Sequence, residues 1–327
     1  MRTRRLLAEG KAAHYHCMSR ICGGELLLGD REKEVLTGML WQVAEFSGVQ
    51  ILAYCVMGNH FHVLAYVPNR REITDRELIA RYRALYGKSR APFQPTPEVL
   101  ATILETGGEE AAAWREKLTA RMHDISAYMK TVKQRFSVWY NKTHRRYGTL
   151  WADRFKSVLV EGSAQALMTV AAYIDLNPIR AGLTEDPAAY RWSSYAEALA
   201  GQQRAQEGLC AQQGQPLSAI KTALKNHRVL LFGKGQLGPT DQPKLDQAKA
   251  RKILAAGGDI SLPEMLRLRI RYFSDGAVLG SKTYVQNWFE ANRPHLSAKR
   301  PTGPRPLRGS NWGNLTIYRN LRKNVFG

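Results

Sequence analysis

His60 and His62 stand one residue apart in the stretch Gly58-Asn59-His60-Phe61-His62-Val63-Leu64-Ala65-Tyr66-Val67. As a β-strand, its period of two puts both imidazoles on one face and Phe61, Val63, Ala65 and Val67 on the other. Two neutral imidazoles side by side are a divalent-metal donor pair, which a third ligand from elsewhere would complete. Tyr173 and Asn177, four residues apart near the end of an expected helix, are candidates for the rest of the chemistry. A tyrosine is a competent covalent nucleophile, and an Asn carbonyl oxygen is a neutral hard ligand. Spacing alone also admits plainer roles: a Tyr beside an apolar stripe is often core, and an Asn before Pro often ends a helix.

The remaining composition bounds the partner. The chain has 327 residues, 44% of them hydrophobic, enough for a sizeable core. Lys+Arg number 48 against 28 Asp+Glu, a net charge of +20 with a pI near 10.0, which points to a polyanion such as nucleic acid. No apolar run approaches the ~20 residues that span a bilayer, and the basic start Met1 to Leu7 lacks the apolar core of a signal peptide. The expectation is a cytoplasmic protein, associated with the nucleoid, with no membrane partner. Cys17, Cys22, Cys55 and Cys210 form no Cys-x-x-Cys pair, so neither a zinc cage nor a disulfide framework is expected.

The elements that must position these residues follow in order. Residues 1 to 12 read as loose and basic, and 13 to 20 as a strand. A helix capped by Asp30 runs to Phe46 with Gly48 as its stop, and a strand spans 49 to 56. Met57-Gly58-Asn59 then turns into the His60 strand. Residues 69 to 125 read as a helical insertion, with helices near 77–86, 98–106 and 109–122 separated by Pro92, Pro95 and Pro97. A longer helix is expected over 126–140 and a strand over 157–161. A final helix, capped by Ser163, carries Leu167, Val170, Ala171 and Ile174 on its core stripe and is stopped by Pro178.

Between Lys130 and Lys156 lie Lys130, Lys133, Arg135, Lys142, Arg145, Arg146, Arg154 and Lys156 against Asp153 alone, interleaved with Trp139, Tyr140, Tyr147 and Trp151. Cations for phosphates alternating with rings for bases suit single-stranded nucleic acid. The expected DNA contacts are Arg20, Lys130, Lys133, Arg135, Arg145, Arg146, Trp151, Arg154 and Lys156. Beyond residue 200, the Gln-rich stretch 202–215 reads as a linker. Helices are expected over 217–232 and 246–256, and the helices 262–272 and 282–292 as a helix-turn-helix. The Pro- and Arg-containing tail 299–308 reads as extended.

Four blocks occur together: Met57-Gly58-Asn59-His60-Phe61-His62, Gly148-Thr149-Leu150-Trp151-Ala152-Asp153-Arg154-Phe155-Lys156-Ser157, Tyr173-Ile174-Asp175-Leu176-Asn177-Pro178-Ile179-Arg180-Ala181-Gly182 and Arg191-Trp192-Ser193-Ser194-Tyr195. Their order resembles that of single-tyrosine HUH transposases, most closely the REP-associated tyrosine transposases, over residues 13–197 apart from the insertion. The resemblance implies an α+β fold, a ferredoxin-like or RRM-like antiparallel sheet with helices on one face. This HUH nuclease domain would occupy residues 1–200, interrupted by the insertion at about 69–125. Beyond the resemblance, residues 201–327 are expected from their own sequence to form a mostly helical, basic extension with a DNA-binding module.

The resemblance further implies a metal-dependent single-stranded DNA endonuclease and strand transferase acting near DNA hairpins, in REP-like or transposon-end sequences. His60, His62 and Asn177 would bind Mg²⁺ or Mn²⁺. Tyr173 would be the nucleophile, forming a 5′-phosphotyrosine with a free 3′-hydroxyl, as monomer or homodimer. It assigns the metal to the later His-x-His pair, leaving His14 and His16 as substrate-contacting or structural. It also assigns the nucleophile to Tyr173 rather than Tyr128, Tyr140 or Tyr147. Two other classes stay open: a nucleic-acid-binding protein in which the nuclease has lapsed, and a metal phosphodiesterase in which water attacks.

Overall fold

The computed structural model describes residues 11–87, 94–233, 247–256, 258–268, 270–296 and 302–318. The expected loose start at 1–10, the break at Pro92 and the tail residues 299–301 lie outside the described residues. Strands β1 (Ala13–Arg20), β2 (Gln50–Val56), β3 (His60–Val67) and β4 (Lys156–Val160) stand in the order β2-β3-β1-β4, with every neighbour antiparallel. Helix α1 (Asp30–Ser47) crosses from β1 to β2. It begins one residue earlier than an Asp30 cap would give: Gly29 is the N-cap and Asp30 lies in the acidic first turn. Gly48 closes it in the left-handed conformation, φ 65°, where a side chain would be strained.

The insertion folds into the three expected helices, α2 (Asp75–Tyr86), α3 (Pro97–Thr106) and α4 (Gly108–Thr119). Thr74 and Thr96 cap the first two by accepting from Glu77 N and Val99 N. Next come α5 (Ile125–Thr143) and, after β4, α6 (Ala164–Asp175), for which Ser163 accepts from Ala166 N. Pro178 does not simply stop this helix. The chain breaks at Leu176 and restarts as the single turn α7 (Asn177–Arg180), with proline in its first turn, where no N–H is missed. Tyr173 and Asn177 therefore sit on consecutive helices, not on one.

Residues beyond 193 form α8 (Ser194–Leu199), α9 (Gln203–Ala211), α10 (Ile220–Phe232), α11 (Gln247–Ala255), α12 (Leu262–Leu266), α13 (Tyr272–Asp275) and α14 (Lys282–Asn292). They also supply β5 (Val278–Ser281), β6 (Arg305–Pro306) and β7 (Leu315–Tyr318). Two expectations are corrected here. The Gln-rich stretch is α9, because Ala205, Leu209 and Cys210 form a buried stripe and Gly208 lets its backbone lie against β2; a Cβ there would be 2.6 Å from the Ile51 carbonyl oxygen. The helix-turn-helix is absent, because the buried Val278 and Leu279 between its two helices pair with Leu159 and Val160 of β4 as a parallel strand.

The fold is thus α+β, with a seven-stranded sheet among the described residues in the order β2-β3-β1-β4-β5-β7-β6. The expected antiparallel sheet is the β2-β3-β1-β4 half; the parallel β4/β5 pair makes the whole sheet mixed. Helices cover both faces rather than one. Cys17, Phe61, Val63 and Ala65 point into a core shared with α1, α2 and α5, while Ala53, Cys55, Leu64 and Val158 point into a second core with α6 and the C-terminal elements. The β2-β3-β1-β4 sheet has apolar residues at both parities, so neither face can be left to water.

Candidate active site on the second face of the sheet

β3 separates its side chains as alternation requires. Phe61 and Val63 are fully buried in the first core, and His62 (2% exposed) enters the second face, with the half-buried His60 beside it. Antiparallel register sets Arg20 opposite His60, Met18 opposite His62, and Lys156 opposite Met18. The exposed cations Arg20 and Lys156 therefore share the face of the histidine pair. The His60 and His62 ring centroids are 5.2 Å apart and near perpendicular, at 81°.

Helix α6 lays Tyr173 across this face. Its ring meets His62 edge-on at 6.1 Å and His16 at 6.2 Å. Of the two pairs expected to meet, Tyr173 is thus set against His62. Asn177 is buried, and its amide nitrogen donates to the Ile174 carbonyl at 2.9 Å, folding the side chain back on the end of α6. Arg180 stacks on the Tyr173 ring at 4.1 Å, donating to the Tyr173 carbonyl at 2.6 Å and the Leu266 carbonyl at 2.7 Å.

His16 is the residue whose place in the site sequence reasoning missed. Its Nε2 lies 2.9 Å from His62 Nδ1, with the rings stacked at 5.0 Å, and its Nδ1 lies 2.9 Å from the Phe273 carbonyl. The signal available was parity: His14, His16, Met18 and Arg20 share one face of a strand. What was missing is the register that sets that face beside His62. Burial pushes the His16 imidazole down to about 4, the Phe273 bond opposing and Arg180 adding to the effect. His62 is driven well below the usual histidine range, by burial first and then by the electrostatic effect of His16, His60, Arg180 and Arg20. Both rings are neutral at pH 7, the state that ligates metal.

The segment from α12 to α13 caps the site. Phe273 packs on Tyr173 at 4.7 Å, and the Tyr173 hydroxyl donates to the Ile270 carbonyl at 3.5 Å, so Tyr173 is 6% exposed. Among the described residues no three His, Cys, Asp or Glu side chains cluster as a metal site. Any ion here would depend on the two imidazoles with oxygen donors from an amide, water or ligand. The pair fits that demand: with each ring centroid ~3 Å from a shared ion, the centroids can be at most ~6 Å apart, and they are 5.2 Å apart.

The expected nucleic-acid contacts divide. Lys130, Lys133 and Arg154 line a groove of about 730 Å³ along α5, floored by Trp151 and Phe155. Trp151 is core rather than an open stacking platform: it is 6% exposed, packs on Phe61 at 5.5 Å and Phe136 at 5.8 Å, and donates from Nε1 to the Lys133 carbonyl. Arg135 is turned away from the groove, half-buried over Tyr86 with its guanidinium on the Leu85 carbonyl. Arg146 is half-buried, while Arg145 is exposed at a left-handed turn position, φ 50°. Tyr147, 95% exposed, is the open ring of this segment.

No protein-family model matches the chain, and no curated protein matches it. Among solved structures the chain is similar to a REP-associated tyrosine transposase bound to a REP hairpin, at 14% identity and a TM-score of 0.39, over 61% of this chain and 86% of that one. A likeness at that level is too low to assign the site. No helix among the described residues is long and apolar enough to cross a membrane.

Proposed function

We propose that the chain is a metal-dependent single-stranded DNA endonuclease and strand transferase that works near hairpins through Tyr173. One observation carries the reading: Tyr173 of α6 packs edge-on against His62 at 6.1 Å, on the sheet face that also bears His60. The cations opposite and beside the pair, Arg20 and Lys156, would supply phosphate contacts at the rim, and Lys130, Lys133 and Arg154 line a separate groove along α5.

His60 and His62, with Asn177 through its Oδ1, would hold Mg²⁺ or Mn²⁺. When bound, the ion polarises a non-bridging oxygen of the scissile phosphate and favours the charge of the transition state. Arg180 fixes the Tyr173 ring by stacking and by holding its backbone carbonyl. The Tyr173 oxygen attacks phosphorus in line, giving up its proton. The new bond forms as the bond to the 3′ oxygen breaks, and that oxygen takes up a proton to become a 3′-hydroxyl. Attack by a 3′-hydroxyl on the phosphotyrosine reverses the step and joins strands without a nucleotide cofactor.

The reaction requires the segment carrying Ile270 and Phe273 to move off Tyr173. That cover favours a second reading, a nucleic-acid-binding protein whose nuclease has lapsed. Incubation with hairpin-bearing single-stranded DNA and Mn²⁺ separates the two. An adduct that survives denaturation and is lost in Tyr173→Phe supports the nuclease. Cleavage without an adduct points to water as nucleophile, and DNA binding without either points to the lapsed form.

A further inference from the structure

Among the described residues, four side chains make ring or cation contacts with Tyr173, and they differ in exposure. His16 and His62 meet its ring edge-on at 6.2 and 6.1 Å, and Phe273 tilts over it at 4.7 Å. These three are 2%, 2% and 1% exposed. The fourth, Arg180, lays its guanidinium over the ring at 4.1 Å and is only half-buried. Of the four, Arg180 therefore forms the side of the enclosure most open to solvent, and to a strand arriving from solvent.

Arg180 also clasps two segments. Its Nη2 donates to the Tyr173 carbonyl at 2.6 Å, near the end of α6, and its Nη1 donates to the Leu266 carbonyl at 2.7 Å, at the end of α12. From Leu266 the chain runs on to Ile270, whose carbonyl accepts from the Tyr173 hydroxyl, and to Phe273. One guanidinium thus ties the helix of the nucleophile to the segment that covers it. Both carbonyls are neutral acceptors, and they lie on different segments. A phosphate offers two oxygens that match the planar guanidinium fork, together with the opposite charge, so it competes for Arg180 at an advantage.

We propose that Arg180 is a phosphate-binding gate: a phosphate of the bound strand takes its guanidinium, which uncovers one face of Tyr173 and frees the end of α12 from α6. The cover then loosens when a phosphate is present to be attacked. That the phosphate belongs to a DNA strand rests on the proposed function, whereas the clasp does not. Hydrogen exchange of the α12 and α13 amides in the full-length protein reads both halves, with metal withheld so that binding is followed apart from cutting. Without DNA, Arg180→Ala is expected to speed this exchange by about tenfold or more, the effect of losing a bond from a charged donor. Saturating hairpin-bearing single-stranded DNA is expected to speed it in the wild type by a similar factor and to add little in Arg180→Ala.

A merely structural Arg180 would give the variant its faster exchange but leave the response to DNA the same in both proteins, and that result overturns the gate. So does DNA that binds the wild type yet leaves the exchange of α12 and α13 unchanged or slower. Unchanged exchange in DNA-free Arg180→Ala overturns the clasp. Should that variant not fold, Arg180→Lys keeps a cation and a donor without the fork. It is expected to exchange faster than wild type without DNA and to respond less to it, and wild-type behaviour there overturns the inference. If no hairpin DNA binds, the phosphate half falls together with the proposed function, and DNA-free exchange still decides the clasp. If DNA loosens the cover but adding Mn²⁺ yields no adduct, the gate stands and the nuclease falls.

Discussion

The two faces of the sheet are built from the same strands and come out chemically opposite. On the first, Cys17, Phe61, Val63 and Tyr54 close a core against α1, α2 and α5. On the second, one residue along each strand, His16 and His62 are as deeply buried as those apolar neighbours, α6 adds Tyr173 and Asp175, and α7 adds Asn177. Asp175 is itself paired with the fully buried His227 of α10 at 2.8 Å, and burial raises its carboxyl above the ordinary range against that bond. The lesson is that alternation along a strand lets one element serve stability and chemistry at once. The cost of buried polar groups falls on a single face, where each needs a named partner.

The comparison can be broken by exchanging what each face tolerates. Phe61→Ala, on the apolar face, should destabilise by about 3–5 kcal/mol in denaturant unfolding. His62→Ala, next to it in sequence, should cost only about 1–3 kcal/mol, chiefly from the unpaired His16, yet abolish adduct formation. Equal stability losses for the two would contradict the division of labour.

The pH response sharpens it. His16 binds a proton near 6.5 when unfolded and near about 4 when folded. Between those values the unfolded chain holds a proton that the folded chain refuses. Stability is therefore full above pH about 6.5 and falls as pH drops toward 4, by something on the order of 3 kcal/mol. Thermal unfolding of the metal-free protein should show this slope, and His16→Leu should reduce it, leaving the part that the buried His62 contributes.

A smaller effect tests how the C-terminal half is attached. Gly208→Ala would set a Cβ 2.6 Å from the Ile51 carbonyl oxygen and 2.9 Å from that of Leu52. It should therefore destabilise by about 1–3 kcal/mol. A neutral outcome would return residues 202–215 to the status of a linker.

Much of the first half of the fold was legible in the sequence because its signals are local. The alternation around His60, the glycine at 48 that stops the first helix and the Ser163 cap each specify an element within a few residues. The second half was harder for physical reasons. Val278–Ser281 is too short for its alternation to stand out, and its strand character comes from pairing with β4 more than a hundred residues away. In α9 glutamines mask an apolar stripe of only a few residues. Of the candidate site, the residue types His60, His62 and Tyr173 were legible. His16 was not, because its role depends on register, and neither was the cover by Ile270 and Phe273, which depends on tertiary packing. Trp151 shows the reverse error: its basic neighbours suggested an open stacking ring, but the apolar face of the sheet claimed it.

The central claim is that Tyr173, and no other tyrosine, carries the covalent bond to DNA. Its rivals differ in placement: Tyr128 is fully buried under α1, Tyr140 is 5% exposed, and Tyr147 stands in the open at 95%. Proteolysis of the DNA adduct followed by mass spectrometry of the nucleotide-bearing peptide decides among them. The account predicts the modification on the peptide containing Tyr173, attached through a 5′ phosphate. Its appearance on Tyr147, or on a peptide without Tyr173, would contradict it.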